Sequence, residues 1–159
     1  STTNLCRCGE FVPGTHRCRC SSLQLRRYLE KFTGPFVDRF SCLLFTQGWK
    51  TKDSLAATAV GEADILKSCE EVRHFIWESR RQKGPNCSFS EAQIVSTFEK
   101  PTLLDLLPIF KSHRRREALL KVARTLADLD KSKLIHARHL SEAQNHTYDP
   151  FLRLRDLLC

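Results

Sequence analysis

Apolar residues recur at helical spacing along most of this chain. After residue 21, Leu25 and Phe32 fall on one face of a predicted helix. Gln24 is placed for a capping box with Ser21, and the Gly-Pro pair at 34–35 is expected to end the helix. Later helices are predicted over about 62–82, from Ser90, over 103–110 with Thr102 as its cap, from Ser112, and over about 137–146.

One short apolar run, residues 42–45, is predicted to be a buried strand. A lone strand is not stable, so its partners are expected to lie outside the chain. The patterns together predict a mainly α protein. The strand belongs to the first part, residues 1–50; residues 51–61 are interpreted as a linker; and residues 62–159 are predicted to be all helical.

Four of the eight cysteines lie close together near the start of the chain, as two Cys-x-Cys pairs: Cys6, Cys8, Cys18 and Cys20. Four thiols held by two tight turns can enclose a tetrahedral Zn²⁺ ion, which would have a structural role. Free thiols, an adventitious disulfide, or His16 in place of one cysteine are the alternatives. The scattered cysteines are interpreted as ordinary core or surface residues: Cys42, Cys69, Cys87 and Cys159.

The net charge of +8, from 26 Lys and Arg against 18 Asp and Glu, favours an anionic partner. Nucleic acid, nucleotide phosphate and an acidic protein are candidates, and a merely soluble basic surface is the alternative. Three arginines, Arg7, Arg17 and Arg19, surround the clustered cysteines. They can offset the charge of the thiolates or face a nucleic-acid backbone.

No apolar run approaches the roughly 18 residues of a membrane span, and the first residues do not form a signal peptide. We therefore expect a cytoplasmic protein with no membrane partner. In that compartment, clustered cysteines are more often metal ligands than disulfides. The chain has no methionine and opens on Ser-Thr-Thr, so it is expected to be a piece of a longer protein.

Four motifs in a fixed order carry a resemblance to a known family. They are Asn4 to Gly9 followed by Cys18 to Cys20, then Gly34 to Arg39, then Ser112 to Leu129, and finally His139 to Ala143. This series resembles the magnesium-chelatase-like AAA+ ATPases, and within them the competence-type ComM/YifB branch. The motifs span nearly the whole chain.

The resemblance implies a role for three polar residues. Asn4 would be the sensor-1 residue near the γ-phosphate, Arg39 the arginine finger that reaches a neighbouring subunit, and Arg114 the sensor-2 residue of the lid. The finger would neutralise charge on the phosphoryl oxygens in the transition state. Taken without the family, Asn4 can be a turn residue, and Arg39 can pair with Asp38 or Glu30.

The same resemblance assigns each predicted part of the chain to a region of an AAA+ protein. Residues 1–50 would be the C-terminal end of an AAA+ α/β core with a cysteine knuckle over 5–20, and residues 62–159 would be the helical lid. The full-length protein would bind ATP and Mg²⁺, assemble as a ring, by expectation a hexamer, and use ATP hydrolysis for DNA remodelling or branch migration.

The chain itself contains no Gly-x-x-x-x-Gly-Lys-Ser/Thr phosphate loop, so it is predicted to be inactive as an ATPase on its own. A second hypothesis belongs to another class of protein. In that hypothesis the chain is a stand-alone zinc-knuckle helical module that binds nucleic acid or protein without nucleotide. The run Arg114 to Arg116 is then an ordinary solvated helix start.

Overall fold

A computed structural model of the chain describes residues 2–11, 17–32, 34–44, 61–81, 84–110, 112–149 and 151. The chain divides into two compact units. The first comprises Ser1–Leu43 together with Tyr148–Cys159, and the second comprises Leu44–Thr147. The prediction of a mainly α protein is confirmed for the described residues. None of the helices found among them is long and apolar enough to cross a membrane.

The described residues of the first unit form the helices α1 (Ser22–Leu29) and α2 (Gly34–Val37), and Phe151 is helical as well. The predicted capping box at the start of α1 is present: the hydroxyl of Ser21 accepts from the backbone N–H of Gln24, and the Gln24 side chain accepts from the N–H of Ser21. Each bond satisfies a donor that a helix start leaves unpaired.

The core of the first unit is built on Leu29, Val37 and Phe151, all buried. Phe32 stacks against Phe151 with ring centroids 4.7 Å apart. Leu5 packs against the same cluster, so that the start of the chain is anchored to α1 and α2 through apolar contact.

Two predictions for the first unit were wrong. The Gly-Pro pair does not simply stop a helix but begins α2, because proline fits the first turn of a helix, where its missing N–H has no partner to lose. Residues 42–44, the described part of the predicted strand, are irregular, and Leu44 is 71% exposed. The described residues offer this segment no strand to pair with. Phe45 and residues 51–60 of the predicted linker lie outside the described residues.

The second unit is helical, as predicted for residues after the linker. Its α-helices are α3 (Glu62–Arg80), α4 (Glu91–Val95), α5 (His113–Leu129) and α6 (Ala137–Thr147). The described residues of this unit also form two short 3₁₀ helices, Asn86–Ser88 and Pro101–Leu106. The apolar residues of α5 form a stripe that packs in the core: Leu119, Leu120, Ala123 and Ala127 are buried, and Leu126 packs at the edge.

The predicted helix over 103–110 is instead the 3₁₀ helix Pro101–Leu106, and Thr102 does not cap it. Its first residue is a proline, and Pro108 lies just beyond its end, so an α-helix cannot extend through this segment. In α3, the bounds agree with the prediction, but Ile65 and Cys69 on its apolar stripe are exposed. Helical spacing therefore located α3 without predicting which face is buried.

The end of α5 is held by a compact set of hydrogen bonds. The N–H of Ser132 donates to the carbonyl of Ala127, and the N–H of Lys131 donates to that of Asp128. Lys131 itself has a left-handed φ of 53°. This is a Schellman motif, which normally places glycine at the left-handed position.

A buried arginine then fixes the loop that follows. The guanidinium of Arg124 contacts the carboxylate of Asp128 at 3.0 Å and donates to the carbonyls of Ser132 and Lys133, at 2.6 and 3.1 Å. The amide of Asn86 donates to the other carboxylate oxygen of Asp128 at 2.7 Å. The loop leads to Ile135, whose N–H and carbonyl make a single parallel β-bridge on either side of Phe98.

Candidate functional site

The structure brings the four clustered cysteines together. Their sulfur atoms all lie within 4.8 Å of one another: Cys6, Cys8, Cys18 and Cys20. The closest sulfur pairs are 3.2, 3.6 and 3.8 Å apart. These distances are far longer than the roughly 2.05 Å of a disulfide bond, so the thiols are free. The predicted cluster is therefore formed, and His16 lies outside the described residues.

The donor set fits a tetrahedral metal ion. In a zinc–thiolate site with Zn–S bonds of about 2.3 Å, the edges of the sulfur tetrahedron measure about 3.8 Å. The sulfur separations in this cluster bracket that value. Binding would therefore require only small side-chain rotations, and the four cysteines can hold a metal ion with all coordination positions filled by protein.

The thiols differ strongly in their tendency to ionise. The backbone N–H of Glu10 and the thiol of Cys6 donate to the sulfur of Cys8 and lower the pKa of Cys8 to about 6. At Cys18, the N–H of Cys20 favours the thiolate, but desolvation and the hydrogen bonds that its thiol gives to neighbouring sulfurs outweigh it. The pKa of Cys18 therefore rises to about 12. The cluster stabilises a thiolate at Cys8, and a cation would favour ionisation of the rest.

A tight turn shapes the first Cys-x-Cys pair. The N–H of Gly9 donates to the carbonyl of Cys6 at 3.2 Å, and Gly9 has a φ of +82°, which favours a residue without a Cβ. A Cβ at Gly9 would also lie 3.4 Å from the side-chain nitrogen of Asn4. The turn thus needs glycine for its backbone conformation, and the Asn4 side chain lies directly beside it.

Asn4 is exposed and held through its backbone. Its carbonyl accepts from the hydroxyl of Tyr28 on α1 at 3.1 Å, and Thr3 contacts the same hydroxyl at 3.2 Å. These contacts fix the position of Asn4 next to the cysteine cluster. Its side chain is available to a partner on the exposed side.

Arg39 lies on the turn that follows α2. Its N–H donates to the carbonyl of Phe36, and nearby Val37 is buried in the core, so the turn has a fixed backbone. The Arg39 side chain is exposed. Within the described part of the chain, neither Asp38 nor Glu30 forms an ion pair with it; Glu30 instead contacts Arg26 at 3.7 Å.

Arg114 belongs to the second unit, in the first turn of α5, and is exposed. Ser112 precedes the helix as predicted, but its hydroxyl makes no capping hydrogen bond. The arginine run is not uniformly solvated: Arg115 is buried, and Arg116 contacts Glu91 of α4 at 2.8 Å. The interpretation of this run as an ordinary solvated helix start was therefore wrong for two of its three members.

The structure also contains a polar network around His139, which its place in the motif His139 to Ala143 did not indicate. The ring is buried; its Nδ1 accepts from the N–H of His136, and its Nε2 contacts a carboxylate oxygen of Asp130 at 3.1 Å. His139 is the third residue of α6, where a Glu or Gln acceptor usually completes a capping box. The position of His139 in α6 is therefore the sequence feature that could have indicated this network.

Comparison with known proteins identifies the family. The family model for magnesium chelatase, subunit ChlI, matches residues 1–54, and the model for the C-terminal part of the same subunit matches residues 70–146. The chain belongs to the magnesium-chelatase-like family. The first matched range contains the cysteine cluster, Asn4 and Arg39, and the second contains Arg114.

Within the magnesium-chelatase-like family, the chain matches the ComM/YifB branch. It is 32% identical over 140 residues to the uncharacterized protein YifB of Escherichia coli, which is 84% of this chain and 27% of the relative. It is 29% identical over 143 residues to the competence protein ComM of Haemophilus influenzae, which is 82% of this chain and 26% of the relative. The chain thus spans about a quarter of the length of these relatives.

Proposed function

We propose that the chain supplies the sensors, the arginine finger and the lid of an AAA+ ATPase that works on DNA. In this proposal, Arg39 neutralises the phosphoryl group in the transition state, while Asn4 and Arg114 contact the nucleotide. One relative is named a competence protein. The resemblance to this family implies the same kind of work, namely remodelling or branch migration of DNA by a ring of identical subunits.

The observation that carries the proposal is the position of Arg39. A residue that acts on the nucleotide of a neighbouring subunit must be exposed, must keep its charge unpaired until assembly, and must stand on a fixed backbone. Arg39 meets the three conditions: its side chain is exposed, neither Asp38 nor Glu30 pairs with it among the described residues, and the turn that carries it is anchored by Val37.

We further propose that the cysteine cluster binds one Zn²⁺ ion. Four sulfur ligands suit zinc, and a site closed by four protein ligands leaves no position for substrate, so its role would be structural. Leu5, beside the cluster, packs against the core of the first unit. The metal would therefore stabilise the segment that presents Asn4.

The finger is tested by Arg39→Ala in the full-length protein that the resemblance implies, since the 159 residues contain no phosphate loop. Loss of a finger arginine should lower kcat by about 10³-fold or more, with KM for ATP little changed, because the contact forms in the transition state. Arg27→Ala is the matched control, an exposed arginine on α1 whose loss should leave kcat unchanged. Undiminished turnover in the Arg39 variant would rule out the finger.

A further inference from the structure

We propose that three exposed arginines of the cysteine turns, Arg7, Arg17 and Arg19, form a surface that binds the phosphate backbone of nucleic acid. We call this the knuckle arginine surface. The inference deepens the proposed function, on which it rests for the nature of the partner. It assigns DNA contact to a defined part of the first unit, through residues other than those proposed to contact the nucleotide.

The alternation of arginine and cysteine makes the surface. Arg7 lies between Cys6 and Cys8, and Arg17 and Arg19 lie on either side of Cys18. Because the sulfurs of the cluster lie within 4.8 Å of one another, the backbone segments that carry the three arginines are gathered around one point. Consecutive Cα atoms are about 3.8 Å apart, so each arginine begins next to a cysteine of the cluster.

All three arginine side chains are exposed, as is Cys8, whereas Cys6 is buried and Cys18 and Cys20 are half-buried. The turns therefore leave the three arginines open to solvent, while three of the four cysteines are at least partly covered. Such a surface gathers long cationic side chains on a small, fixed base. A phosphate backbone presents regularly spaced anionic oxygens, and the planar guanidinium can bind two of them at once.

Among the described residues, no carboxylate neutralises the charge of this surface. Across the described ranges, no carboxylate lies within ion-pair distance of Arg7, Arg17 or Arg19, although other arginines have such partners: Arg26 with Glu30, Arg116 with Glu91, and Arg138 with Asp130. In the sequence, Glu10 is the only acidic residue from 5 to 20. The surface thus retains its positive charge for an external anion.

A competing role for the arginines is to offset the negative charge of the metal-bound thiolates. The two roles predict different measurements. If the arginines only compensate the thiolates, their removal weakens metal binding and leaves any DNA binding unchanged. If they contact phosphate, their removal lowers DNA affinity and its salt dependence while the metal is retained.

The test compares the zinc-loaded chain with the triple variant R7A/R17A/R19A. Binding to a fluorescein-labelled DNA duplex of about 30 base pairs is followed by anisotropy at several salt concentrations. Each phosphate contact contributes about −0.9 to the slope of log K against log salt, so the triple variant should lose about 2.7 from that slope. Between 50 and 200 mM salt, the natural chain should then weaken about 40-fold more than the variant.

The matched control removes the same charge from exposed lysines of the second unit: K67A/K100A/K133A. Its slope should stay close to that of the natural chain. An equal loss in both triple variants overturns the proposal, because binding would then follow total charge. Unchanged DNA binding in the arginine variant, with zinc retained, overturns it as well.

Zinc content is measured on every variant by mass spectrometry of the metal. If the triple arginine variant loses zinc, the single variants Arg7→Gln and Arg17→Gln decide, because each keeps the other two charges beside the thiolates. With zinc bound, each should lose about 0.9 from the salt slope, and no loss overturns the proposal. If the natural chain does not bind DNA at all, both the knuckle arginine surface and the proposal that this chain binds DNA are overturned. The Arg39 test of ATP hydrolysis does not depend on that result.

Discussion

Replacing Arg124 by alanine should destabilise the second unit more than any surface substitution. Arg124 is fully buried, and its guanidinium contacts the carboxylate of Asp128 as well as the carbonyls of Ser132 and Lys133. The substitution leaves the buried carboxylate of Asp128 and two part-buried carbonyl groups without this donor. Removing one partner of a buried ion pair costs about 3–5 kcal/mol, because the remaining charge is left without compensation.

The measurement is amide hydrogen exchange on peptides from α5. A local readout is needed because two compact units need not unfold together, and a single unfolding midpoint would then be ambiguous. A loss of about 3–5 kcal/mol corresponds to an increase of about 10²- to 10⁴-fold in the exchange rate of the most protected amides.

Arg138→Ala is the matched control. Arg138 also contacts an aspartate at 3.0 Å, but its side chain is 67% exposed and that of Asp130 is 48% exposed. An exposed pair contributes about 0–1 kcal/mol, so exchange in α5 should change by a factor of about 5 at most. If the Arg124 variant exchanges no faster than this control, the structural role assigned to the buried pair is wrong.

A double variant separates the two parts of the effect. Arg124→Met with Asp128→Leu removes both charges and keeps apolar volume, which by itself is often neutral or stabilising. The carbonyls of Ser132 and Lys133 still lose their donor in this variant. The amide of Asn86 also loses its acceptor on Asp128. We therefore expect partial recovery, and the remaining deficit measures the loss of these hydrogen bonds.

Three further predictions concern single positions. Lys131→Gly should be more stable than Lys131→Ala by about 0.5–1 kcal/mol, measured by amide exchange in α5, because both variants lose the exposed ion pair with Glu71 and only glycine adopts a left-handed φ without steric cost. Burial lowers the pKa of His139, an effect that Asp130 partly opposes, so the unfolded chain binds more protons and stability should fall as the pH drops below about 6.5. His139→Gln keeps an acceptor for the helix cap and should remove the dependence of stability on pH, whereas the control His146→Gln should not. An unaltered pH profile in the His139 variant would contradict the assignment of this dependence to His139. Cys18→Ser should abolish binding of one zinc per chain, measured by elemental analysis, while Cys42→Ser, outside the cluster, should retain it; equal zinc content in the two variants would exclude the cluster as the metal site.

Much of the fold could be predicted because its determinants are local. Helical spacing and the Ser21–Gln24 capping box depend on residues within one or two turns, and α1, α5 and α6 begin close to where the sequence indicates. The cysteine cluster was predictable for the same reason, since short spacing leaves the thiols little freedom to separate.

The remaining features depend on contacts between distant parts of the chain. Arg124 and Asp128 have the spacing of an ordinary surface pair on a helix, and burial of the pair results from the loop that folds back over it. Likewise, the apolar residues of α3 predict a helix but not its buried face, and Trp77 on that helix is 70% exposed. The 3₁₀ helix begins at Pro101, whereas the prediction took Thr102 as the capping residue and therefore placed the start of the helix too late.

The Schellman motif and the hydrogen bonds of Arg124 join α5 and the loop that follows it into one rigid element. The 17 residues of α5 span about 25 Å at 1.5 Å per residue. Arg114 lies at one end of this helix, and at the other end the hydrogen bonds of Arg124 to the carbonyls of Ser132 and Lys133 restrain the loop that leads to α6. A displacement of the first turn of α5 should therefore move the following loop and α6 together with α5, as one rigid body.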